Sequence, residues 1–156
     1  MTDGRSLEQL QPLVGRWTTE ARHPAFPGQV FPGTAEFEWL DGQRFLICRS
    51  HTDHPDFPDA VSVIGFMDRD RADVPSSAPP ATRPAMHYFD TRGVFRVYEI
   101  DLDDGAWRWS REVPGFSQRF TGTFSDDGNS IDGRSQLRRD DVHWEDDLQL
   151  TYRRKA

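Results

Sequence analysis

From Arg16 onward apolar and polar residues alternate with period two, and turn formers interrupt them about every eight to twelve positions. A strand sends successive side chains to opposite faces, so this rhythm predicts half-buried β-strands and an all-β fold. About ten are predicted: Arg16–Arg22, Thr34–Leu40, Arg44–His51, Ala60–Asp68, Pro84–Asp90, Val94–Leu102, Ala106–Glu112, Ser117–Ser125, Ser130–Arg138 and Val142–Arg153. One segment reads as helix. Ser6 caps its start, Leu7, Leu10 and Leu13 mark its apolar positions, and Pro12 and Gly15 end it.

The turns order these strands. Leu40-Asp41-Gly42-Gln43, Asp103-Asp104-Gly105 and Asp126-Asp127-Gly128-Asn129 are hairpin turns in which Gly takes the positive φ. Each joins an even strand to the next odd one, so in a meander all three lie at one end. The opposite end receives two longer loops, His23-Pro24-Ala25-Phe26-Pro27 and His54-Pro55-Asp56-Phe57-Pro58, which share the pattern His-Pro-x-Phe-Pro. The stretch 69–83 is polar and Pro-rich, and reads as a mobile connection inside a single domain spanning 1–156.

Composition narrows the function classes. Leu, Ile, Val and Phe make up only about a fifth of the chain, near the disorder boundary. Eleven Phe, five Trp and three Tyr supply the apolar area that the aliphatics do not. A net charge of -7 argues against nucleic acid as partner. No apolar run suits a membrane span, and Met-Thr-Asp-Gly-Arg is not read as a signal peptide. A single Cys allows no disulfide within the chain. The expectation is a soluble, cytoplasmic domain with no membrane partner; a homodimer is compatible with it.

Ten antiparallel strands left open would expose two edges, whereas closure removes both. A barrel of that size is wider than side chains readily fill, so a cavity is expected. Gly15-Arg16-Trp17 opens the first strand after a short helix, and Tyr152-Arg153-Arg154 closes the last. In these features the chain resembles the calycin superfamily, which includes lipocalins and fatty-acid-binding proteins. Met86 to Gly93, Arg96 to Glu99 and Phe116 to Phe124 are similar to uncharacterised bacterial calycin-like proteins of about this length. The resemblance implies an up-and-down barrel plugged by the N-terminal helix. It also implies that Trp17 packs under a basic side chain of the final strand, Arg154 or Arg153.

Polar residues in phase with apolar ones are candidates for a ligand-binding lumen, because an unpaired buried charge is costly. The predicted ligand-binding set is Phe37, Trp39, Arg49, His51, Trp109, Arg111, Gln118, Phe120, Trp144 and Asp146. Arg111 is the favoured grip for a carboxylate. The expected ligand is a small apolar or amphipathic molecule passing between the two His-Pro-x-Phe-Pro loops, with no cofactor and no metal. His51-Thr52-Asp53-His54 holds two His three apart, which a strand sends to opposite faces, so it reads as a polar mouth loop. Haem, carried on a His in the nitrobindin branch of calycin-like barrels, is not expected. Gly15-Arg16-Trp17-Thr18-Thr19 lacks that branch's further glycines, and His143 alternates with Glu145 and Asp147 as a solvent-facing residue would. Cys48 reads as an ordinary strand residue. The alternative function is an isomerase- or cyclase-type enzyme whose acid–base residues are Glu99, His51 and His87.

Overall fold

A computed structural model describes residues 7–66, 83–103 and 105–156. The ten strands are β1 (Gly15–Arg22), β2 (Phe31–Trp39), β3 (Phe45–Thr52), β4 (Ala60–Gly65), β5 (Ala85–Asp90), β6 (Phe95–Asp103), β7 (Ala106–Arg111), β8 (Ser117–Phe124), β9 (Ser130–Arg138) and β10 (Glu145–Arg154). Each pairs antiparallel with its sequence neighbours, and β10 returns to pair with β1, so the sheet is a closed all-β barrel. The predicted helix is a 3-10 helix, Glu8–Leu13, with Pro12 inside it. Leu7 precedes it without a side-chain cap, and Ser6 lies outside the described residues. Of the predicted connection 69–83, residues 69–82 lie outside them too, as does Asp104.

The 3-10 helix closes the end that carries the Asp-Gly turns. Leu10 and Leu13 drop into the barrel against Trp17, Leu46, Ile64, Ile100 and Ile131. Trp17 is fully buried, and its Nε1 donates to the Leu13 carbonyl at 2.9 Å. Trp39 Nε1 donates to Gln11 Oε1 at 2.8 Å, which ties β2 to the same plug.

Arg154 completes this end. Its guanidinium carbon lies 4.2 Å from the centroid of the Trp17 ring. Nη1 donates to the Val14 carbonyl at 2.7 Å, and Nη2 donates to those of Pro12 at 2.8 Å and Gly128 at 3.3 Å. One side chain thus binds the plug, the first strand and the β8–β9 turn, in a position where the fork of an Arg suits several carbonyls at once. Arg153 points outward and is exposed.

Two glycines decide how the rings pack. Gly122 and Gly133 face each other across β8 and β9. A Cβ on Gly133 would stand 2.7 Å from the Leu150 carbonyl oxygen and 2.8 Å from the Phe120 ring. The missing side chain is the room in which Phe120 lies.

Arg154→Ala should lower stability by about 2 kcal/mol, since charge-assisted hydrogen bonds and a cation–π contact are lost together. Urea unfolding monitored by tryptophan fluorescence checks this, and an unchanged midpoint would contradict the account of this end.

Candidate functional site

The lumen is filled at the plugged end and hollow toward the other. Phe37, Trp107 and Phe120 occupy the floor, with Trp107 5.6 Å from Phe37 and 5.0 Å from Phe120, ring to ring. Above them the inward positions of β1 to β4 and β9 are small: Thr19, Ala35, Ser50, Ala60, Ser62 and Ser135. The cavity they leave is about 410 Å³, within the range of small-molecule sites.

Rings from β6, β7 and β8 form the facing wall. Trp109 lies nearly parallel to Phe120 at 5.0 Å, and Tyr98 meets Trp109 edge-on at 4.5 Å. The Tyr98 hydroxyl donates to Gln118 Oε1 at 3.1 Å. Burial raises the Tyr98 hydroxyl pKa, while Arg96, Arg111 and Arg92 pull it back. Trp107 also lines the cavity, and its buried Nε1 has no hydrogen-bond partner among the described residues.

Of the predicted ligand-binding set, Trp109, Gln118, Phe120 and His51 line the cavity. His51 does so from the rim, where it is exposed and its Nδ1 lies 2.6 Å from Asp59 Oδ1. Phe37 and Trp39 face inward but belong to the packed plugged end. Arg111 is half-buried and is not among the cavity-lining residues.

Three members point outward. On β3 the inward face is Leu46, Cys48, Ser50 and Thr52, so Arg49 lies outside, where Nη1 donates to Glu38 Oε1 at 2.6 Å. Both faces of this strand begin with apolar residues, which hides its phase. On β10 the register slips by one residue between Asp146 and Gln149. This β-bulge puts Asp147 and Leu148 together on the cavity and sends Trp144 and Asp146 outside. The bulge is braced by Ser135, whose Oγ donates to the Leu148 carbonyl at 2.8 Å. Trp144 lies on the outer surface between Arg119 at 4.0 Å and Arg138 at 4.7 Å. Asp146 accepts from Gln136 Nε2 at 3.1 Å.

The acid–base set is not assembled. Tyr98, Ile100 and Leu102 take the inward face of β6, which leaves Glu99 exposed outside. His87 is on the outer face of β5 against Phe95, at 5.7 Å. His51 alone of the three borders the lumen.

The two His-Pro-x-Phe-Pro loops fold alike. In each, the Phe backbone N–H donates to the His carbonyl, at 3.0 Å in one and 3.1 Å in the other. The His Nδ1 accepts the backbone N–H two residues on, at 3.0 Å from Ala25 and 3.1 Å from Asp56. The loops do not stand apart as the expected portal between them. Phe26, Phe31, His54 and Phe57 pack together across them, with Phe31 and His54 4.6 Å apart. Access to the lumen is instead bounded by Arg92, Phe116 and Arg139 from the other three loops of this end, with Phe57 and Pro58 opposite. His23 and Asp147, 2.8 Å apart, latch the first loop to the bulge. Because His23 Nδ1 already accepts from Ala25, the Nε2 proton is donated to Asp147, and neither ring nitrogen is left to serve as a base.

His54 is likewise engaged, and among the described residues no three His, Cys, Asp or Glu side chains converge as metal ligands. His143 is exposed and bound to Asp140 at 2.7 Å. No described helix is long and apolar enough to cross a membrane.

No family model matches the chain, and no curated protein sequence is similar to it. Solved structures do match. Rv2717c from M. tuberculosis superposes with TM-score 0.64 over 96% of this chain and 97% of its own, at 12% identity. A de novo designed fluorescence-activating β-barrel matches 96% of this chain and 100% of its own with TM-score 0.45 and 13% identity. The likeness to Rv2717c extends over nearly the whole of both chains and bears on the fold alone.

Cys48 faces the lumen, and desolvation pushes its thiol up to about 12. Iodoacetamide at pH 8 should leave the native protein unlabelled while labelling it fully in urea, as intact-mass spectra would read. Rapid native labelling would contradict the raised thiol pKa of this lumen-facing side chain.

Proposed function

We propose that the barrel holds a small, mostly apolar molecule in its lumen, as a calycin-like binding protein. The hollow itself supports this reading. A chain whose inward residues at mid-height are Ala, Ser and Thr leaves space that larger side chains on the same strands would fill. An empty apolar hollow is destabilising, and an occupant recovers the lost contacts.

The wall suits a flat molecule. Trp109 and Phe120 offer parallel ring faces, while Met86, Leu137 and Leu150 add aliphatic surface to the lining. Gln118 is the member of the predicted polar set that faces the lumen, while His51 borders it only at the rim, bound to Asp59. Such a protein stores, carries or shields its ligand; the acid–base residues considered for an enzyme do not meet in the lumen.

N-phenyl-1-naphthylamine, uncharged and weakly emissive in water, is a suitable probe. It should bind saturably at one molecule per chain, with blue-shifted emission and energy transfer from tryptophan. Trp109→Ala should weaken it by about tenfold, the loss of one aromatic contact and its buried area. A titration without saturation would contradict lumen binding.

A further inference from the structure

The charges around the lumen do not balance locally. Arg92 is matched by Asp90, whose carboxylate is shielded from solvent and held at 2.6 Å by Nη2. Asp147 is matched by His23, and His51 by Asp59. Arg139 faces Glu145 at 3.8 Å. Asp56 also lines the rim, exposed, with no cation beside it among the described residues.

Arg96 is different. It is half-buried on the cavity wall, in phase with Tyr98, and its guanidinium lies 5.3 Å from the centroid of the Phe116 ring. Among the described residues no carboxylate is within 4.0 Å of it. Among the same residues Arg111 has no ion-pair partner either, and it acts on the same Tyr98 hydroxyl as Arg96 and Arg92. The charges of all three favour the ionised phenol, and Asp90, paired with Arg92, is the one carboxylate that matches any of them among the described residues. In a chain of net charge -7 this is a local positive excess at the wall of an apolar hollow. A half-buried cation without a partner is costly unless an anion joins it.

We propose that the lumen ligand is an amphipathic organic carboxylate, its charged end on Arg96 beside the Tyr98 hydroxyl and its flat apolar body against Trp109 and Phe120. This rests on the lumen-binding reading and adds the ligand's charge and orientation to it. A guanidinium meets a carboxylate with two parallel N–H donors. Arg111 reinforces the positive field without forming the cavity wall. Gln118 accepts the Tyr98 proton, so the hydroxyl has no proton left to offer the ligand's oxygens. The carboxylate is then bound by Arg96 itself. The exposed Asp56 repels an anion weakly, because solvent screens it.

The test uses two displacers of bound N-phenyl-1-naphthylamine, 1-naphthylacetate and 2-(1-naphthyl)ethanol, which share a ring system and differ in the terminal group. On the wild-type protein the acid should displace the probe at a concentration at least about tenfold lower than the alcohol, as for a hydrogen bond to a charged group. Arg96→Ala should remove that advantage, acid and alcohol then displacing the probe at equal concentrations, while a thermal midpoint close to wild type shows the barrel intact. Arg96→Lys should restore part of the advantage. Equal displacement by acid and alcohol on the wild type would overturn the proposal while leaving lumen binding standing. So would an advantage that survives Arg96→Ala. Failure of the uncharged probe to bind at all would instead remove the lumen-binding reading, and this one with it.

Discussion

The ladder between β1 and β10 is the constraint on which the molecule depends. It runs from Trp17 opposite Arg154 to Arg22 opposite Gln149. Without it the sheet would have two edges carrying unpaired backbone groups, and nothing would oblige its inner face to enclose anything. Arg154 strengthens the seam where strain would open it first, at a chain terminus. It stacks on the ring of the first strand and ties down carbonyls of the plug and of the β8–β9 turn. Arg154 thereby couples the closure made by the ladder to the plug that Trp17 and Trp39 also hold.

Hollowness follows from side-chain volume along the same strands. Near the seam's plugged end the inward residues are Trp17, Phe37, Leu46, Ile64 and Ile131, all nearly or fully buried. Farther along, β1 to β4 switch to Thr, Ala and Ser, while β6 to β8 keep their rings. The cavity is lopsided for this reason, with an aromatic wall facing a wall of small residues. Gly122 and Gly133 let Phe120 lie flat against the sheet, so the aromatic wall stays thin. The mouth is capped on one side by the paired His-Pro-x-Phe-Pro loops and open on the side where the unmatched arginines sit.

Strand number, strand order and the segregation of turns were legible because each rests on a local signal. Alternation marks a strand, and Asp-Gly marks a hairpin. The repeated His-Pro-x-Phe-Pro pattern is a local signal as well, and it produces the same turn twice. What alternation cannot supply is which face is inside when both are apolar. On β3, Phe45 and Ile47 compete with Leu46 and Cys48, and the losing choice carried Arg49 with it. On β10 a single inserted residue reverses the phase, so Trp144 and Asp146 were read on the wrong side. Arg96 was missed for a related reason: both faces of β6 carry apolar residues, Phe95 and Val97 on one and Tyr98 and Ile100 on the other. Its inward position follows from Tyr98, Ile100 and Leu102 being the covered set. That run of three in-phase apolar residues was the available signal.

Residue-resolved native-state hydrogen exchange tests the closed seam most directly. Amides of Thr18 and Glu20 on β1, and of their β10 partners Arg153 and Thr151, point across the seam and should exchange only through global unfolding. Their opening free energy should equal that of amides in the middle of β8 and β9. Fast exchange along β1 and β10, with the free energy of a frayed edge, would mean that the sheet does not close and that the cavity is not enclosed by it.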